Sequence, residues 1–128
     1  MIHSFKVDAT LEAYRFVALT GTANTVGYPN ANTRLPIGIT IDTVKEITQG
    51  IPVACVGEIA KLFFNDTVSA GGLVASDTSG RGVPFTLAAT TTSVTLSAAY
   101  GGILVGAAVS ATGTLADVLV MPGYEAGA

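Results

Sequence analysis

Histidine occurs once in this chain, at His3, cysteine once, at Cys55, and tryptophan not at all. A single cysteine excludes an internal disulfide framework, and one histidine with one cysteine cannot assemble a zinc site of the usual nitrogen and sulfur ligands. Acid–base work needs a positioned partner within hydrogen-bond reach, and His3 lies in a terminal segment. Cys55 falls in the apolar run Val53-Ala54-Cys55-Val56 and reads as a small buried hydrophobe, with no second histidine to act as its base. Asp77, Ser79 and Gly80 fit a turn better than a calcium loop, which needs further acidic ligands. The glycine-rich stretches 21–27 and 71–82 lack the Gly-Lys-Ser/Thr ending of a phosphate loop. Asp42 and Glu46 read as a solvated loop face. The sequence therefore predicts no enzyme, no cofactor and no metal.

Charge is also scarce. Asp, Glu, Lys and Arg make up 12% of the chain, about half the usual share of roughly 25%. The net charge is −3 and the pI about 4.8. The six cations, Lys6, Arg15, Arg34, Lys45, Lys61 and Arg81, stand singly, so no basic stripe exists to neutralise a phosphate backbone, and no nucleic-acid partner is expected. The longest apolar run, 101–109, is far short of the roughly eighteen residues of a membrane span. The opening MIHSFKVDATLEA has no uninterrupted apolar core, so no signal peptide is expected and synthesis is placed in a cytoplasm. For the same reason the sequon Asn65-Asp66-Thr67 reads as accidental.

What the chain does have is strand grammar. Its 128 residues suffice for one domain burying roughly two-thirds of its unfolded surface. Thr, Ser, Ala and Gly take the place of charge, a composition that suits a surface partly covered in an assembly. A strand-turn-strand phrase appears twice, in LPIGITIDTVKEITQGIPVACVG (35–57) and ILVGAAVSATGTLADVLVMPG (103–123), which suggests two similar hairpins related by pseudo-symmetry. Further strands are expected over 14–20, 51–57, 58–64, 73–76, 83–86, 102–109 and 115–121. Asp77 to Gly80 carries a hairpin turn signal. The segment 21–34 has loop composition, 43–49 reads as one helical turn or a polar loop, and 88–100 as a surface loop or short exposed strand. The alternating residues at 1–13 have only a thin apolar face. The fold class is thus all-β: a single compact barrel or sandwich of short antiparallel strands over 14–128, with an extended N-terminal arm over 1–13.

Nearly the whole chain resembles the small capsid-cement, or head-decoration, proteins of tailed bacteriophages. HSFKVDATLEAYRFVALTG (3–21) is similar to that family's extended terminal segment and first barrel strand. IPVACVGEIAKLFFNDTVSAGGLVASDTSGRGVPF (51–85) is similar to its core phrase, and ILVGAAVSATGTLADVLVMPG (103–123) to its closing strands. The resemblance implies a β-barrel homotrimer seated on the outer face of the virion, bound to the major capsid protein and without enzymatic activity. In such a role the arm would pair with a strand of a neighbour, so Ile2, His3, Phe5, Val7 and Leu11 are the expected capsid contacts. The alternative is a small ligand- or carbohydrate-binding β module. Against it, sugar sites commonly present aromatic platforms, whereas Tyr14, Tyr28, Tyr100 and Tyr124 are dispersed.

Overall fold

A computed structural model describes residues 2–29, 35–44, 46, 50–85 and 97–126. They form strands throughout, in the order β1 (Ile2–Val7), β2 (Phe16–Leu19), β3 (Thr25–Gly27), β4 (Gly38–Thr40), β5 (Ile51–Ala54), β6 (Ile59–Phe63), β7 (Leu73–Ser76), β8 (Gly82–Pro84), β9 (Ser97–Leu104) and β10 (Leu115–Ala126). Among the described residues there is no helix, and the all-β class stands. Strands β1 to β5 close into a barrel in the order β1-β3-β2-β4-β5. The other five form a sheet in the order β6-β10-β9-β7-β8. A single parallel bridge, Phe64 to Gly82, with Asn65 N–H donating to the Gly82 carbonyl at 2.9 Å, draws the two ends of that sheet together.

The two halves repeat one topology. In the first, β1 runs parallel to β3 and antiparallel to β5; in the second, the strand of Phe64 meets β8 in parallel and β10 antiparallel. Two isolated antiparallel bridges, Leu11 to Val44 and Val68 to Val109, fall at matching places, each closed by a pair of reciprocal backbone hydrogen bonds of 2.7 to 3.1 Å. Even the strained backbone repeats. Tyr14 (φ 64°) answers to Gly71 (φ 76°), and Asn24 (φ 56°) to Gly80 (φ 76°). A side chain in this left-handed region costs roughly 1–2 kcal/mol. Tyr14 is held there by its N–H on the Thr40 carbonyl and by the Phe63 N–H on its own carbonyl, both 2.8 Å. The phrases at 35–57 and 103–123 are the β4–β5 and β9–β10 antiparallel pairs of the two halves.

Each half has its own core. Val7, Leu11, Val17, Val44 and Val53 of the first answer to Phe64, Val68, Val74, Val109 and Val118 of the second. Where the first core pairs Val7 with Val26, the second pairs Phe64 with Gly82. The larger ring fills the space the glycine leaves, and a Cβ on Gly82 would lie 2.8 Å from it. Such an exchange conserves volume, which close-packed interiors tolerate best. Phe16 and Ile39 cross the divide, since they belong to strands of the first barrel but pack in the second core.

Three expectations are corrected here. The segment 1–13 is not a free arm ahead of a 14–128 barrel: residues 2–5 pair with β5, Lys6 and Val7 pair with β3, and Leu11 bridges Val44. The loop assigned to 21–34 contains β3, a short strand that pairs antiparallel with β2 and parallel with distant β1. Strand β10 runs to Ala126, five residues beyond its expected end at Met121, through an irregularity between Val120 and Gly123. Of the segment expected as a helical turn or polar loop, Val44 lies in a β-bridge, while residues 45 and 47–49 lie outside the described residues, as do 30–34 and 86–96.

Val7 is sealed in the first core, at 6% exposure. Val7→Asp should therefore cost about 3 kcal/mol or more in urea unfolding, because it buries an unpaired carboxylate. His3→Ala, at the exposed start of the same strand, should change stability by no more than about 0.5 kcal/mol. Equal effects of the two would mean that β1 does not belong to the barrel.

Candidate docking surface

The five residues expected to touch a partner are divided by the barrel wall. Ile2 and His3 are exposed, and Phe5 is half-buried, packing on the first core with its ring 4.9 Å from that of His3. Val7 and Leu11 face inward, and Leu11 is only 2% exposed. A partner could reach them only by opening the barrel, so they are core residues and not contacts. Their alternation with polar neighbours was visible in the sequence, but which face was buried depended on β3 and β5.

The charged and nucleophilic groups hold structure. The Asp77 carboxylate accepts from the N–H groups of Ser79 and Arg81, from Arg81 Nε at 2.8 Å and from Asn65 Nδ2 at 3.3 Å, which pins the turn between β7 and β8 as the turn signal predicted. Arg15 pairs with Glu12 at 3.0 Å and lies over the Phe63 ring at 4.6 Å. Lys61 pairs with Asp117 at 2.9 Å across β6 and β10. Cys55 is half-buried against the first core, and burial pushes its thiol above the usual range, which disfavours the reactive thiolate. Among the described residues no group of three His, Cys, Asp or Glu side chains converges on a metal-sized space.

What the surface offers is apolar. Ile2, Tyr14, Leu19, Ile41, Val56, Ile59, Val105, Leu115 and Met121 are large hydrophobic residues left exposed. Most fall at matching places in the two halves: Ile2 with Ile59 at the start of β1 and β6, Ile41 with Val105 just after β4 and β9, and Val56, two residues past β5, with Met121, in the irregularity of β10 just past its pairing with β6. Two concavities run between them. One, of about 220 Å³, is lined by Ile2, Tyr14, Ile41 and the residues 58–61. The other, of about 390 Å³ and almost wholly apolar, is lined by Phe5, Leu19, Ile37, Cys55, Val56 and Pro122. Grouped apolar exposure of this kind marks an interaction site more often than isolated surface hydrophobes do. Sequence reading missed it because its members are far apart in the chain and meet only where the halves meet.

No family model matches the sequence, and no curated protein matches it. Five chains of solved structures do. Among them is the N base of the head fiber gp8.5 of bacteriophage phi29, 14% identical, with a TM-score of 0.65 over 94% of this chain and 93% of that one. At that identity the likeness is one of fold, and it extends through both halves.

The thiol offers a check on the geometry. Because burial raises its pKa in the folded state, its contribution to stability is complete below the unfolded value of about 9 and is lost as pH rises through the folded value. Iodoacetamide should label Cys55 in the native protein several-fold more slowly at pH 8.5 than in urea-unfolded chain, where thiolate forms readily. Equal rates would place the side chain in open solvent.

Proposed function

We propose that this protein is a non-enzymatic structural component of a bacteriophage head, seated as a homotrimer on the capsid exterior, where it binds the major capsid protein and cements neighbouring subunits. The observation that carries the reading is the shared fold with a phage head fiber base, which spans almost the full length of both chains. The residues agree with it. Charge-poor surfaces rich in Ala, Val and Thr suit close subunit contacts, and the exposed apolar positions of the two halves give the chain apolar surface to bury against a neighbour. Ile2 and His3 stay available for a capsid contact because both are exposed at the start of β1. Three chains seated together would bind with an avidity about a hundredfold or more above that of one. The acidic balance gives no support to a nucleic-acid role.

Adding the purified protein to bare shells should raise the temperature at which they release DNA. Binding only to the intact shell stabilises it by about 2.7 kcal/mol per site at a hundredfold excess over Kd. Light scattering on the bound or free protein should return three chains. Saturated and bare shells breaking at the same temperature would remove the cementing role, and a stable dimer in both settings would remove the trimer.

A further inference from the structure

Strand β6 is the terminal strand of its sheet, and over Ile59 to Lys61 its outward edge, beside an apolar groove, has no strand partner among the described residues. The direction of its backbone groups follows from the hydrogen bonds around it. Val120 N–H donates to the Glu58 carbonyl at 2.8 Å and Phe64 N–H to the Thr114 carbonyl at 2.9 Å, so the even-numbered residues bond inward to β10. Phe63 N–H donates instead to Tyr14, on the opposite side. In a ladder these directions alternate. The N–H and C=O of Ile59 and Lys61 therefore point away from β10, and among the described residues no strand pairs with them.

The groove of about 220 Å³ runs along this edge. Its lining includes four consecutive residues, Glu58 to Lys61. A cavity lying on one face of a strand would meet only every second residue, so this one sees the backbone edge itself. Its far wall is supplied by the first barrel, through Ile2, Tyr14 and Ile41. Its rim carries little free charge, since Lys61 is paired with Asp117 and Glu58 is itself engaged.

We propose that the open edge of β6 and the apolar groove beside it accept an extended, uncharged segment of a partner polypeptide, which adds to the sheet as a further strand beside Ile59 and Lys61. Main-chain donors and acceptors in strand geometry, with no strand partner among the described residues, select an extended chain, and the flanking pocket selects an apolar side chain at alternate positions. Charge matching selects an uncharged segment, because a charged one would be desolvated against Ile2, Ile41 and Ile59 without a counter-ion. The space between the Tyr14 contact and the start of β6 admits a pairing of about three residues at roughly 3.3 Å each. This inference stands on the edge and its groove, and holds whether or not the partner belongs to a phage head.

The test uses the full chain and the blocked peptide acetyl-Thr-Val-Thr-Val-Thr-amide, with acetyl-Thr-Pro-Thr-Pro-Thr-amide as control. In the free protein the amides of Ile59 and Lys61 should exchange with solvent far faster than those of Leu62 and Ala60. Saturating Val peptide should slow both by about tenfold or more and shift the resonances of Tyr14 and Ile41, whereas the Pro peptide should do neither. Ile59→Pro removes an outward N–H at the first position of the strand, where proline is tolerated, and should abolish peptide protection with little change in Tm. Should that variant fold poorly, Ile41→Lys, which alters the groove without touching the backbone of β6, should weaken binding about tenfold. The proposal would be overturned by protection of Ile59 and Lys61 before any peptide is added, by peptide shifts confined to another surface, by no protection or shift from the Val peptide at saturation, or by undiminished binding by both variants. Protection that rises with protein concentration alone would identify a second copy as the occupant, and would equally defeat a partner segment.

Discussion

The ring of Phe16 is the constraint on which the rest of the molecule depends. Its backbone belongs to β2 of the first barrel, yet its side chain is fully buried among Leu62, Phe64, Val74 and Leu104 in the core of the second sheet. The second sheet makes room for it with Gly101, where any Cβ would overlap the ring. The residues before it tie the same seam. Tyr14 accepts from Phe63 N–H, Arg15 covers the Phe63 ring, and Phe16 N–H itself donates to Gly80 at 2.7 Å. On the far side, the link between the halves is stitched to β10 by Gly57 N–H on Val120 and Val120 N–H on Glu58. Neither half is sealed without the other. Removing a buried phenylalanine side chain costs about 3–5 kcal/mol, and here the loss would open a boundary as well as a core.

Much of this was legible in local patterns and some was not, for physical reasons. The hairpin turn at Asp77 was readable because Asp and Gly carry turn chemistry in their own side chain and backbone. The twin phrases at 35–57 and 103–123 were readable because each is a contiguous antiparallel pair. Strand β3 was not, because Thr25, Val26 and Gly27 carry one apolar side chain between them, too few for a period to show, and are held as a strand between β2 and the distant β1. For the same reason the terminal segment read as an arm. The apolar face formed by Phe5 and Val7 is thin by itself and becomes a barrel wall only when β3 and β5 flank it. The full duplication was hidden because the halves share topology and volume more than letters, as the exchange of Val7 and Val26 for Phe64 and Gly82 shows.

The proposed docking groove follows from the same seam. Holding the two halves together brings Ile2, Tyr14 and Ile41 of the first alongside the edge of β6 in the second. None of the four segments involved carries a binding signal on its own, which is why the sequence pointed to His3 and its neighbours instead. Of those expected contacts, the exposed Ile2 alone belongs to the groove, while Val7 and Leu11 serve the core. Repetition also leaves exposed apolar residues at matching positions of the two halves, Ile2, Ile41 and Val56 in the first and Ile59, Val105 and Met121 in the second.

The central claim, that the two halves form one cooperative unit joined through Phe16, is tested most directly by residue-resolved urea unfolding. Val17 and Val53 report on the first core, and Val74 and Val118 on the second. The account predicts one coincident transition at all four sites in the native sequence, with the midpoints of the two cores falling together in Phe16→Ala. Two separated transitions in the native protein, or loss of the second core in Phe16→Ala while the first keeps its midpoint, would contradict it.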